Sequence, residues 1–182
     1  MSREVSPIKQ KVLLILFSGL AFGFSYTPRE QFKIIKGFQK EWKKISQEKL
    51  KMEIQKLYRS KLVKLKKNPD GSFTMILTDK GKLKALKFHF AMKIQKSRWG
   101  GKWWFVIFDI PEKIKKLRDA LRWKLKELGF YELQKSVFIF PYECKDEIEF
   151  IIEFFNLRKF VRYGVLESID NELHLKKIFK LI

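Results

Sequence analysis

The chain has 182 residues, 46% of them apolar, with 18 Phe and 5 Trp. Disorder goes with low hydrophobicity and few aromatics, so this composition excludes it and supplies core for one large domain or two small ones. The single cysteine, Cys144, excludes an intrachain disulfide and a thiolate metal cluster and points to a reducing, cytoplasmic compartment, while the net charge of +20 points to a polyanionic partner.

The charge is unevenly placed. Residues 1–99 hold 24 Lys and Arg against 7 Asp and Glu (net +17), and residues 100–182 hold 16 against 13 (net +3). A lysine bias that served solubility alone would touch both halves alike. A phosphate-binding surface needs local excess, because each neutralised phosphate releases condensed counterions. That surface is expected in the first half.

The most hydrophobic stretch runs from Val12 to Phe24 and contains Ser18, Gly19 and Gly23. It is shorter than the roughly 20 apolar residues of a membrane span. It also runs into Tyr26-Thr27-Pro28-Arg29 rather than a small-residue cleavage site, although Arg3, Lys9 and Lys11 precede it as in a signal peptide. The pattern predicts a buried first helix from Pro7 to about Ala21. Thr27-Pro28 with Glu30 opens a second helix, whose apolar face is Phe32, Ile35, Phe38 and Trp42. After a break at Lys44-Ile45, Ser46 caps a third helix with Glu48 near its positive end.

In the third helix Leu50, Ile54, Leu57 and Tyr58 are expected to be buried. The other face carries Glu48, Lys49, Met52, Gln55, Lys56 and Arg59. Lys and Arg contact phosphates or guanine, and Gln pairs with adenine in a major groove. A helix of this kind standing alone reads as well as an ordinary solvated face. Here it is followed by a hairpin: Leu62 to Lys67 alternates like a strand, Asn68-Pro69-Asp70-Gly71 is turn chemistry, and Ser72 to Leu77 alternates again.

Three helices and a basic hairpin form the order of a winged helix-turn-helix. The third helix would enter the major groove and Lys64, Lys66 and Lys67 would lie along the backbone. The DNA-contacting set is thus Ser46, Lys49, Met52, Gln55, Lys56, Arg59, Lys64, Lys66 and Lys67. Leu77-Thr78-Asp79-Lys80-Gly81 then begins a helix expected to end near Phe90, closing a domain of residues 1–90. Residues 91–101, with Gly100-Gly101, read as a linker.

Residues 102–182 change period. Trp103 to Ile110 is a buried strand stopped by Pro111. Ile114, Leu117, Leu121, Leu125 and Leu128 follow at helical spacing up to Gly129, a C-cap. Phe130–Leu133 and Ser136–Phe140 read as short strands, Asp146–Phe155 as a helix and Lys159–Ile169 as a last strand. The fold class is α+β, with a βαββαβ ferredoxin-like half.

Within this half, Asp109-Ile110-Pro111 closes the first strand, followed by Lys115-Lys116-Leu117-Arg118, Leu128-Gly129-Phe130 and Gln134-Lys135-Ser136-Val137-Phe138. About residues 102–170 resemble the small ferredoxin-like CRISPR-associated protein that partners the spacer integrase, and equally the central domain of PaaX-type repressors. Only the PaaX-like family sets this module behind a winged helix. The resemblance implies a homodimeric repressor of transcription on double-stranded DNA, dimerised in part through the ferredoxin-like half. PaaX-type repressors continue into a further C-terminal domain, whereas this sequence stops at Ile182, so no small-molecule effector is carried over.

In the CRISPR-associated relatives the aspartate at the end of the first strand is the proposed metal residue, shared across a dimer. Asp109 is its counterpart, and Mg²⁺ accepts one or two carboxylates. This gives the alternative of a metal-dependent nuclease or CRISPR adaptation component. Against it, the only acidic neighbour following is Glu112, among Lys113, Lys115 and Lys116. The structural reading of Asp109 is a carboxylate that caps the next helix or pairs with Arg118. His89 and His174 lie far apart in sequence, and the chain has no phosphate loop, nucleophile elbow or His-Glu-x-x-His motif. No cofactor is expected. A non-specific architectural DNA binder is the third reading, favoured by the lysine count.

Overall fold

Ser6 opens the first helix: its hydroxyl accepts the backbone N–H of Lys9 at 3.4 Å, and Pro7 supplies the first helical residue. The computed structural model describes residues 6–21, 47–71 and 73–182. The chain divides into two units, Met1–His89 and Phe90–Ile182. The expected second helix, Thr27 to Trp42, and the expected cap Ser46 lie outside the described residues.

In the first unit, α1 (Pro7–Ala21) buries Val12, Leu13, Leu14 and Phe17. Helix α2 (Gln47–Arg59) buries Leu57 fully and Glu53 nearly so, while Leu50 and Ile54 are half-buried. Tyr58, expected in the core, is 57% exposed. The reason is angular. Leu57 lies opposite the polar strip, and at 100° per residue the next position already turns toward solvent.

Helix α2 stops in a tight reversal. Leu62 N–H donates to Leu57 C=O at 3.1 Å and Lys61 N–H to Tyr58 C=O at 2.9 Å, with Lys61 in the left-handed region at φ 56°. This is the Schellman pattern, at a position that favours glycine. Strands β1 (Val63–Lys67) and β2 (Phe73–Leu77) then pair antiparallel, Val63 opposite Leu77 and Lys67 opposite Phe73. In the turn, Gly71 N–H donates to Asn68 C=O at 3.1 Å, and the Asn68 amide and Thr74 hydroxyl bond across the hairpin.

The Leu-Thr-x-x-Gly step after the hairpin has a mechanical reason. The Thr78 hydroxyl accepts the Gly81 N–H at 3.1 Å, capping α3 (Asp79–Gln95), and donates to Lys61 C=O at 2.7 Å. Gly81 lets the helix press on the chain entering the hairpin. A Cβ there would sit 2.0 Å from the Leu62 carbonyl oxygen.

Helix α3 does not end near Phe90. It continues to Gln95, so the segment 91–101 begins as helix. Within the second unit, Lys93 on this helix pairs with Glu143 at 2.5 Å and with the buried Glu147 at 3.1 Å. Burial opposes the Lys93 charge, but the two carboxylates outweigh it and hold its pKa above the ordinary lysine value. An ammonium tied in this way keeps the last turn helical.

The second unit is βαββαβ with a short tail. Strand β3 (Trp103–Phe108) is followed by a 3₁₀ turn (Glu112–Ile114), α4 (Lys115–Glu127), β4 (Tyr131–Gln134), β5 (Val137–Phe140), α5 (Lys145–Phe154), β6 (Val161–Leu166) and α6 (Glu172–Ile178). The sheet order is β4-β5-β3-β6, every pair antiparallel. This is the ferredoxin-like arrangement.

Alternation along β3 separates two faces. Val106 and Phe108 share one with Phe138, Phe140 and Val161, all buried. The helices add Leu121 and Leu125 from α4 and Ile148, Ile151 and Ile152 from α5 to the core. On the other face Trp103 and Ile139 are fully buried beneath Leu175 of α6, with Trp99, Phe179 and Leu181 packed round them. At the far end of that face Ile107 is 39% exposed, opposite Val137 and Arg162.

Candidate nucleic-acid interface

The outward strip of α2 consists of Glu48, Met52, Gln55 and Arg59, at spacings of four, three and four, all exposed. Lys49 and Lys56 flank it on one side, Lys51 and Tyr58 on the other. Met52 is 53% exposed, an apolar member among long polar side chains. Of the set expected from sequence, Lys49, Met52, Gln55, Lys56 and Arg59 therefore share the exposed side of one helix. Ser46 lies outside the described residues.

The hairpin carries its lysines on two faces. Lys64 and Lys66 share one face with Ile76 and Thr74, their cross-strand partners, while Leu65 and Lys67 share the other with Met75. All three lysines are exposed, and so is Leu65, at 52%. Among the described hairpin side chains, Val63 and Leu77 at its base are buried.

Lys56 is exposed but not idle. Its ammonium donates to Glu53 Oε1 at 2.7 Å, and Glu53 Oε2 accepts the Ser6 hydroxyl at 2.8 Å with Lys9 Nζ 4.0 Å away. The hydrogen bond from Lys56 holds the Glu53 carboxyl below the usual range despite burial, helped by Ser6 and Lys9. Sequence reasoning missed Glu53 and the exposure of Tyr58. The i, i+3 spacing of Glu53 and Lys56 was the available signal for the first.

Asp109 is exposed at the end of β3, its backbone N–H donating to Phe160 C=O at 2.9 Å. It neither caps the next turn nor pairs with Arg118. The guanidinium instead binds Glu112 at 2.7 Å, and the 3₁₀ turn has no side-chain cap. Among the described residues no group of three or more His, Cys, Asp or Glu is placed to hold a metal ion. Cys144 is buried, and burial pushes its thiol far above the ordinary range, leaving it unreactive. His89 packs near Phe17 in the first unit, and His174 lies 3.4 Å from the Tyr131 hydroxyl in the second.

The βαββαβ order, the sheet order and the Asp-Ile-Pro step at the end of β3 all lie within one segment whose family can be tested. Residues 96–176 match the PaaX protein central Cas2-like domain. The matched segment covers all four strands and both helices of the βαββαβ unit. No curated protein and no solved structure matches the chain. Among the described residues no helix is long and apolar enough to cross a membrane.

Proposed function

We propose that the chain is a PaaX-like transcriptional regulator, a repressor that binds double-stranded DNA as a homodimer, with its first unit a winged helix-turn-helix. One observation carries this reading. A helix with Met52, Gln55 and Arg59 on its outward strip is joined within the same unit to a hairpin that exposes Lys64, Lys66 and Lys67. The pairing supplies base-reading side chains and backbone-gripping cations together. The PaaX central domain in the second unit supports the regulatory role. The half-open sheet face around Ile107 and Val137 supports dimerisation, since an apolar face can cover its own copy across a two-fold axis.

In this reading Gln55 and Arg59 read bases, Met52 touches a thymine methyl, and Lys49, Lys56, Lys64, Lys66 and Lys67 hold phosphates. Selection from random duplexes, followed by titration of the selected site, tests the proposal. Arg59→Ala should cost roughly 1–3 kcal/mol on the selected site and relax specificity at one base pair. Lys66→Ala should weaken all duplexes about equally. Enrichment of no sequence would replace the regulator with an architectural binder, and Mg²⁺-dependent cleavage lost in Asp109→Asn would replace it with a nuclease.

A further inference from the structure

The Glu53 carboxylate sits in a place that ordinary surface acids do not occupy. It is on the inner side of the proposed reading helix, its side chain 10% exposed, yet it grips a cation from the DNA-facing side. Its described partners are the Ser6 hydroxyl and Lys9 of α1 and the Lys56 ammonium, which is itself 53% exposed. An ammonium has three N–H donors, but a lysine already neutralised by an anion inside its own protein gives up part of that pairing when it takes a phosphate. The exchange replaces one charge-assisted hydrogen bond with another, so its net yield is small.

We propose that Glu53 is a specificity-determining positioning residue that stands in for a DNA phosphate at Lys56. The carboxylate silences Lys56 toward generic backbone and draws it off the outward strip, leaving Met52, Gln55 and Arg59 to meet the bases. Lys56 is released only where a phosphate is presented by a duplex docked in register. This inference rests on the DNA-binding reading above. It adds a mechanism by which a strongly basic unit limits indiscriminate binding.

A double-mutant cycle on the full chain tests it, using an unrelated duplex and the selected site over a range of salt. Glu53→Gln keeps the shape and a bond to Ser6 but releases Lys56. Affinity for the unrelated duplex should rise roughly three- to tenfold and the salt slope steepen by about 0.9, one phosphate contact. Lys56→Met should weaken binding to the selected site, where Lys56 holds a phosphate, and should abolish the gain on the unrelated duplex when combined with Glu53→Gln. A gain that survives the loss of Lys56 is a bulk charge effect and overturns the proposal, as does a Glu53→Gln protein no different from wild type.

A second measurement needs no variant. The NMR titration midpoint of the Glu53 carboxylate should move up when the selected duplex takes Lys56 away, and an unmoved midpoint counts against the proposal. If the wild-type protein binds no duplex at any salt, the DNA-binding reading itself fails and this inference goes with it.

Discussion

Among the described residues, four reversals put a residue in the left-handed region just after a helix: Lys61, Gly129, Asn156 and Lys180. Each ends its helix with the same pair of backbone bonds, as when Phe130 N–H meets Leu125 C=O and Leu157 N–H meets Ile152 C=O. Only Gly129 accepts φ > 0 without steric cost, Asn156 tolerates it, and the two lysines do not. Lys61→Gly should therefore stabilise the first unit by about 1 kcal/mol, whereas Asn156→Gly should gain about half that or less. Urea denaturation of both variants checks the ranking, and equal gains would contradict the steric argument. The C-cap at Gly129 was legible in the sequence because glycine marks it. The one at Lys61 was not, because lysine in that conformation carries no compositional sign.

Among the elements, strands were read from alternation and turn residues, and the observed strands lie within a few residues of their expected positions. The end of α3 at Gln95 was not marked in the sequence, because no Gly or Pro stands between Phe90 and Gly100. Helix α6 was hidden because it is short and buries only Leu175, with Leu173 left 70% exposed. It is fixed by tertiary contacts such as Trp103 Nε1 donating to Glu172 at 3.2 Å. At the candidate site, the polar strip of α2 followed from helical spacing. The placement of Tyr58 did not, since a tyrosine at a stripe's margin suits core or surface equally. The joint between hairpin and α3 carries the clearest elemental test. Gly81→Ala forces a Cβ into the Leu62 carbonyl and should cost on the order of 3 kcal/mol, lowering the urea midpoint of the first unit. A midpoint unchanged by the substitution would mean that Thr78 capping, not close approach, shapes the joint.

At the scale of the whole molecule, carboxylates anchor cations in both units. Glu53 is held low by Lys56, Glu132 by Lys126 and Arg122, and Glu149 by Arg158 and Tyr163. Their folded pKa values lie below the unfolded ones, so their stabilisation is present above an unfolded value of about 4.3 and is lost as pH falls through the depressed values. Asp146, raised mainly by burial, works in the opposite sense and softens the loss. The urea midpoint should accordingly drop between about pH 5 and about pH 3, and a flat profile would show these pairs to be without net effect. Residues 1–99 carry a net +17, and α2 and the hairpin expose its lysines beside the strip proposed to read bases. Titration of the purified full chain with a labelled duplex at rising salt tests this most directly. Binding should be tight at low ionic strength, with log affinity falling linearly with log salt at a slope of several units. No binding at low salt, or an affinity indifferent to salt, would contradict it.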